Sequence, residues 1–384
     1  MAAPMTAAAL AASLVEFDSR NPSLAPGAPG EGAVARFLAD VLAGWGFAVE
    51  LTEVEPGRPN VVARGGRAEG PSSMVNGHLD VVGVEGMVHP PFAPLVRDGR
   101  LYGRGAADMK GGVAAMCVAA REAVQAGIDG EVIVAAVIDE EYESLGTRAL
   151  IAAGVRADAA VVTEPTRLSI CPTHRGFVWV ELDVRGRAAH GSQYELGVDA
   201  ITQASLILAE LDRVQRDIFG QRRHHLLGRP SLHASTIRGG SGLSTYPERC
   251  TVTIERRTIP GERAEDVLRE VAEACGVVRG RIGTLDADIR LLGAQGPSDV
   301  AEDAPIVRAL ARAIEGEARP VVVEGMSAWT DCAVLNEAGI PAVCFGPGDL
   351  TLAHAAEEYI PVHEIDVAAR VLQRVIAGWC NHSD

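Results

Sequence analysis

Apolar residues recur along this chain with two periods, and the elements they predict alternate. Leu10, Leu14 and Phe17 share one helical face, with Thr6 placed to cap it. Residues 33–45 repeat the helical spacing and stop before Gly46, which suits the turn that ends a helix. Residues 47–54 and 60–63 read as strands, followed by a short apolar run between Pro71 and Gly77. That stretch, S-S-M-V-N-G-H-L-D, delivers His78 and Asp80 at its carboxyl end, where open α/β sheets collect ligands. Irregular, proline-rich chain then lasts until Leu101. After G-R-G-A-A-D-M-K-G-G the helical period returns over 113–126. Residues 131–138 form a strongly apolar strand that ends in D-E-E-Y-E-S-L-G, and 159–162 a second that ends in T-E-P-T.

Beyond Glu164 the order changes. Strand 177–184, helix 198–218, strands 231–238 and 250–256, helix 264–275 and strand 287–292 follow one another. This β-α-β-β-α-β order is ferredoxin-like. Helix 303–315, strand 321–323, helix 328–338 and strand 340–345 then resume an α/β pattern, and His363 opens the final helix. The expected division is residues 1–175 and 295–384 as two parts of one α/β domain, with 176–294 inserted between them.

Composition narrows the function. With 35 basic and 51 acidic residues the formal charge is −16, which argues against nucleic acid or an anionic membrane as partner. The 7 cysteines are scattered without a C-x-x-C pair, so reduced, buried thiols in a cytoplasmic protein are expected. The alanine-rich start lacks a basic segment and runs into Glu16, Asp18 and Arg20, so it reads as a folded helix. No stretch approaches the ~20 apolar residues of a membrane span.

The candidate chemistry sits at strand ends. A neutral His78 imidazole can bind a metal while a carboxylate two residues on fixes its tautomer. Asp139, Glu140, Glu141 and Glu143 crowd one strand end, an arrangement that divalent cations would make favourable. Glu164 ends the next strand, and Asp108 stands before a helix, as a cap or as a carboxylate that bridges two metals. Three strand ends bearing His78, the Glu140–Glu141 pair and Glu164 make a site pattern.

The motifs G-H-L-D-V-V, G-R-G-A-A-D-M-K-G-G, D-E-E-Y-E-S-L-G, T-E-P-T and L-A-H-A-A-E-E-Y-I resemble, in order and over nearly the whole chain, one family. It is that of acetylornithine deacetylase, succinyl-diaminopimelate desuccinylase and carboxypeptidase G, co-catalytic di-zinc amidohydrolases. The resemblance implies a zinc-peptidase-like α/β/α catalytic domain with an inserted ferredoxin-like lid and dimerisation domain. It implies Asp108 as the bridging carboxylate, His78 and Glu164 on one metal, and Glu141 and His354 on the other. Glu140 matches the general base and Asp80 the partner of His78. Nitrogen and oxygen donors suit zinc, and cobalt or manganese would fit similar donors. Two such metals ~3.5–4 Å apart can share a hydroxide as nucleophile.

Within the insertion, the resemblance makes His190 a residue that reaches the partner subunit's site to stabilise an oxyanion, and Arg257 a clamp for a substrate carboxylate. The sequence departs from the family at Ser244, commonly asparagine, and at Tyr194, commonly proline, changes that bear on substrate contacts. Gly346 and Gly348 resemble a glycine turn whose backbone approaches substrate. The expected protein is a homodimeric deacylase of N-acyl amino acids. A metallo-dipeptidase or carboxypeptidase shares the mechanism, and a non-catalytic, metal-stabilised binding protein would have no need of Glu140.

Overall fold

The apolar strands that end in acidic residues lie side by side in one sheet. The computed structural model of the chain describes residues 5–381. Its first elements are α1 (Ala7–Val15), α2 (Gly32–Gly44), β1 (Ala48–Glu55), β2 (Arg58–Gly66), β3 (Ser72–His78), β4 (Leu95–Arg97) and β5 (Arg100–Tyr102). There follow α3 (Gly111–Ala126), β6 (Glu131–Val137), α4 (Leu145–Ala152), β7 (Ala159–Val162) and β8 (Ile170–His174). The middle of the chain forms β9 (Gly176–Arg185), α5 (Ala200–Asp217), β10 (Ser231–Gly239), β11 (Arg249–Thr258), α6 (Ala264–Ile282) and β12 (Asp286–Gln295). The last are β13 (Ser298–Asp299), α7 (Pro305–Glu315), β14 (Val323–Met326), α8 (Cys332–Glu337), β15 (Ala342–Cys344), β16 (Tyr359–Pro361) and α9 (Val362–Cys380).

Two compact units emerge. The first comprises Met1–Pro172, Val300–Glu324 and Thr330–Asp384, and the second Thr173–Asp299 with Gly325–Trp329. The second unit therefore includes a segment that the sequence pattern gives to the closing part of the catalytic domain.

In the first unit the sheet runs β1-β2-β6-β3-β7-β15-β8. Strands β6, β3, β7 and β15 are mutually parallel, and the outer pairings are antiparallel. Register sets the site: His78 lies opposite Val137, Asn76 opposite Val162, and Val162 opposite Cys344. The carboxyl ends of all four strands thus finish at nearly one level. Both faces are covered. On β6, Val132, Val134 and Ala136 enter the core shared with α1, α3, α7 and α9, while the equally buried Ile133, Ala135 and Val137 alternate to the other face. There α4 and α8 pack, α4 against β2 and α8 against β7.

The second unit is a four-stranded antiparallel sheet in the order β10-β11-β9-β12. Val178, Val180, Leu182 and Val184 of β9 share a core with α5 and α6. With its β-α-β-β-α-β order this is the ferredoxin-like arrangement.

Several expected elements differ. The strand expected at 321–323 lies at Val323–Met326, and the helix expected from 328 begins only at Cys332. Its first residues are tied elsewhere: the Trp329 indole donates to the Gly296 carbonyl (2.9 Å) and the Thr330 hydroxyl accepts from the Cys332 amide (3.2 Å). Helix α6 runs on to Ile282, and β8 and α4 form where no element was expected. The supposedly irregular stretch before Leu101 contributes β4, which joins β5 and β16 in a small sheet.

Gly112 lets α3 sit against the end of β7, because a Cβ there would lie 2.0 Å from the Thr163 carbonyl oxygen. Gly112→Ala is therefore expected to cost about 1–3 kcal/mol of stability in urea unfolding. Gly378, with nothing within 4 Å of the same position, should tolerate alanine without loss.

Candidate metal centre

His78, the last residue of β3, is buried, and its ring is fixed from behind. Nδ1 lies 2.9 Å from the Asp80 carbonyl oxygen, a pure acceptor, so Nδ1 carries a proton and Nε2 is the nitrogen that would offer its lone pair to a cation. The Asp80 carboxylate stands slightly further off, at 3.5 Å. The expected pairing is thus made more closely by the Asp80 backbone than by its side chain. That carboxylate also accepts the amides of Glu140 and Glu141, each at 3.2 Å.

Asp108 is not a helix cap. It sits at φ −124° and ψ 94°, ahead of α3, and its amide donates to Glu358 at 3.2 Å. Oδ1 lies 3.2 Å from His78 Nε2, and Oδ2 lies 3.4 Å from His354 Nε2. One carboxylate therefore faces two imidazoles with separate oxygens, the disposition that a bridging ligand needs. Glu141 lies 3.0 Å from the same His354 nitrogen. Glu140 approaches the other side, 3.8 Å from His78 Nε2. Ligand atoms of His78, Glu140 and Glu164 fall within 4.8 Å of one another, as do those of His78, Asp108 and Glu141. Glu164 is buried, and its Oε1 has no hydrogen-bond partner. An orphaned buried carboxylate oxygen beside the His78 imidazole is what a cation site would leave, so this donor set fits two divalent ions.

The electrostatics agree. Burial, then the charge of Glu164, pushes Glu140 well above the ordinary carboxylate range, and burial with Asp108 does the same to Glu164. Burial opposes ionisation of Asp108 too, yet hydrogen bonds from His354 and His78 hold it low. The same contacts, Asp108 first and then Glu141, raise His354 to about 10. Protons here take the place of the positive charge that cations would supply.

Other groups were invisible in the sequence. Asn21 donates to both Asp80 (2.9 Å) and Asp139 (3.0 Å), and Arg58 pairs with Glu31 (2.6 Å) and Asp139 (3.0 Å). Arg104 holds Glu358 at 2.6 Å, which in turn accepts the Ala107 and Asp108 amides. Asp331 is buried, accepts the Thr147 hydroxyl at 2.6 Å and is pushed up to about 6 by burial. The only signals available were the W-T-D-C and D-E-E motifs; Asn21, Glu31 and Arg58 carry none.

The turn at Gly346 and Gly348 is hydrogen-bonded within the protein. The Gly346 amide donates to Thr166 Oγ1 (3.1 Å), and its carbonyl accepts from Leu168 (3.0 Å). The Gly348 amide donates to Glu364 (2.8 Å), and its carbonyl accepts from Arg167 (2.7 Å). Gly346 also serves closeness, since a Cβ there would lie 2.5 Å from the Glu164 carbonyl oxygen.

His190, Ser244 and Arg257 belong to the second unit. His190 is exposed, with Nδ1 2.9 Å from Ser192 Oγ, and the Ser244 carbonyl braces its loop by accepting the Gly191 amide at 2.7 Å. Arg257 Nε donates to Glu255 at 2.7 Å, and its guanidinium lies over the Phe177 ring.

Residues 74–378 match Peptidase family M20/M25/M40. The chain is 31% identical over 347 residues to acetylornithine deacetylase of Myxococcus xanthus, covering 87% of this chain and 89% of that one. The chain belongs to peptidase family M20/M25/M40. It is also 28% identical to N-formyl-4-amino-5-aminomethyl-2-methylpyrimidine deformylase of Bacillus subtilis, over 97% and 94% of the two chains. Aminopeptidase PepT of Bacillus cereus has the same fold, with a TM-score of 0.78 at 21% identity over 96% of each chain. This M20 chain is accordingly a metal-dependent hydrolase of amide bonds.

Stability of the chelator-treated protein should fall as pH rises. His354, raised from 6.5 to about 10, contributes stability that is complete below 6.5 and lost towards 10. Glu140 and Glu164, raised above 4.5, remain protonated in the fold where the unfolded chain has ionised, so they too oppose folding as pH increases. A falling Tm between pH 6 and 9, abolished by saturating zinc, is expected in scanning calorimetry. A flat profile without metal would contradict this picture of the centre.

Proposed function

We propose that this chain hydrolyses the amide of an N-acyl amino acid at a two-cation centre, with Glu140 as general base. The observation that carries the reading is Asp108 with one oxygen towards His78 and the other towards His354. His78 and Glu164 would hold one ion and Glu141 and His354 the other, zinc by preference among donors that also suit cobalt or manganese. Such ions polarise a carbonyl and acidify a water molecule. Glu140, half-buried and with raised proton affinity, takes the proton of the attacking water and returns it to the leaving amine. Asp80 keeps His78 in the tautomer that presents Nε2.

His190 would donate to the oxyanion across a homodimer formed through the second unit. Arg257, whose Nε is engaged by Glu255, would meet a substrate carboxylate with its two terminal nitrogens. A dipeptide offers the same amide and carboxylate, so contacts in the second unit set the preference between deacylase and peptidase. Buried, unpaired cysteines support a cytoplasmic setting, and no helix among the described residues is long and apolar enough to cross a membrane.

A panel of N-acetyl, N-succinyl and dipeptide substrates with metal-loaded protein tests the reading; no hydrolysis across it would end it. Glu140→Ala should retain both metals by elemental analysis while kcat falls ~10²–10⁴-fold. His190→Ala should lose ~10²–10³-fold in kcat with metal content intact. Mixed dimers of His190→Ala with Glu140→Ala should recover part of the activity, because the His190→Ala subunit keeps its own Glu140 and receives the partner's His190, which completes one site of the two.

A further inference from the structure

Consecutive side chains in an extended segment point to opposite sides, and nothing in a loop makes two of them converge on one centre. Glu140 and Glu141 nevertheless do so from different directions, Glu140 towards His78 and Glu141 towards His354. The residue before them is the knot of the loop. Asp139 adopts φ +65°, a left-handed conformation in which aspartate and asparagine are enriched. Its carbonyl accepts the amides of Tyr142 (3.3 Å), Glu143 (3.2 Å) and Ser144 (2.6 Å), which curls the chain tightly after the glutamates. Its Oδ2 accepts the Glu143 amide again at 3.2 Å, and its own amide donates to Glu31 Oε1 at 3.2 Å.

Oδ1 of Asp139 is held from outside the loop. Arg58 Nη2 and Asn21 Nδ2 both donate to it at 3.0 Å. Arg58 is anchored by a two-pronged bond to Glu31, Nε to Oε2 at 2.6 Å and Nη2 to Oε1 at 2.7 Å. Asn21 also donates to Asp80 at 2.9 Å, and Asp80 accepts the amides of both glutamates. All these groups are buried, with Arg58 8% exposed and Asn21, Glu31, Asp80 and Asp139 at 0%. Every polar group of Asp139 is thus used, and the network terminates on the peptide units of the two glutamates.

We propose that Asp139, locked by Arg58, Glu31 and Asn21, is the positioning residue that assigns Glu140 and Glu141 to separate roles. The inference rests on the roles given to those glutamates above. A planar guanidinium is required because a single fork must reach Glu31 and Asp139 together, and its charge persists at any working pH.

Arg58→Lys keeps the charge but loses the fork, and Asp139→Asn keeps shape and left-handed tolerance but, with one acceptor oxygen, cannot accept from both the Glu143 amide and the Arg58–Asn21 pair. In cobalt-loaded enzyme both variants should shift the visible absorption bands and weaken binding of the second cation ~10–100-fold. The kcat should fall by a similar factor with KM within about threefold, since substrate binding is not what the network arranges. Arg58→Ala should recover part of the native cobalt spectrum on addition of methylguanidinium. Should Arg58→Ala not fold, the two conservative variants decide the matter. Native spectra, native cation affinity and kcat within about twofold of wild type would overturn the proposal. So would a lowered Tm with spectrum and affinity unchanged, which would make the network purely a folding device. The spectra are read without substrate, so a wild-type enzyme that hydrolysed nothing in the panel would sink the functional reading and leave this test standing.

Discussion

Gathering carboxylates in a buried space is expensive unless positive charge is brought to them, and this chain is arranged around meeting that demand. Asp80, Asp108, Asp139, Glu164 and Asp331 are all buried at or beside the carboxyl edge of the sheet. The protein supplies part of the compensation itself. Arg58 faces Glu31 and Asp139, and Arg104 faces Glu358, each pair at hydrogen-bonding distance and nearly sealed from solvent. Those arginines serve the outer carboxylates. Around His78 and His354 the imidazoles meet only part of the charge; burial and neighbouring carboxylates still raise the proton affinity of Glu140 and Glu164, and divalent ions are the natural counterpart.

Close backbone approach makes the crowding possible. Gly112 admits the Thr163 carbonyl against the start of α3, and Gly346 admits the Glu164 carbonyl against the end of β15. A parallel sheet brings its strand ends to one edge by construction, and the register between β3, β6, β7 and β15 leaves little offset between them. The site is therefore less a pocket cut into a finished domain than the rim of the sheet itself.

The inner group was legible in the sequence because its members announce themselves twice, once as donors and once as the residues that end apolar strands. His78, the Glu140–Glu141 pair and Glu164 could be read that way. Asp108 and His354 needed the family resemblance, since neither stands at a strand end. The surrounding layer was not legible for a physical reason. Asn21 lies in a proline- and glycine-rich loop, and Glu31 and Arg58 look like ordinary surface charges. Only the fold, which joins positions 31, 58 and 139, turns them into a buried network. Elements failed where tertiary bonds overrode local pattern, as at Trp329 and Thr330 ahead of α8. At Gly346 the glycine serves a close contact within the protein, which the motif alone did not indicate.

The catalytic unit is assembled from three stretches of chain separated by the second unit, and its last candidate ligand, His354, lies near the carboxyl end. During synthesis, the contiguous 173–299 segment is made before that histidine is. The nascent chain must therefore keep a set of acidic strand ends waiting without their second imidazole. A fragment ending before residue 354 would contain Asp108, Glu141 and Glu164 but lack the imidazole that faces Asp108 Oδ2, so that carboxylate would meet only one of its two nitrogen partners.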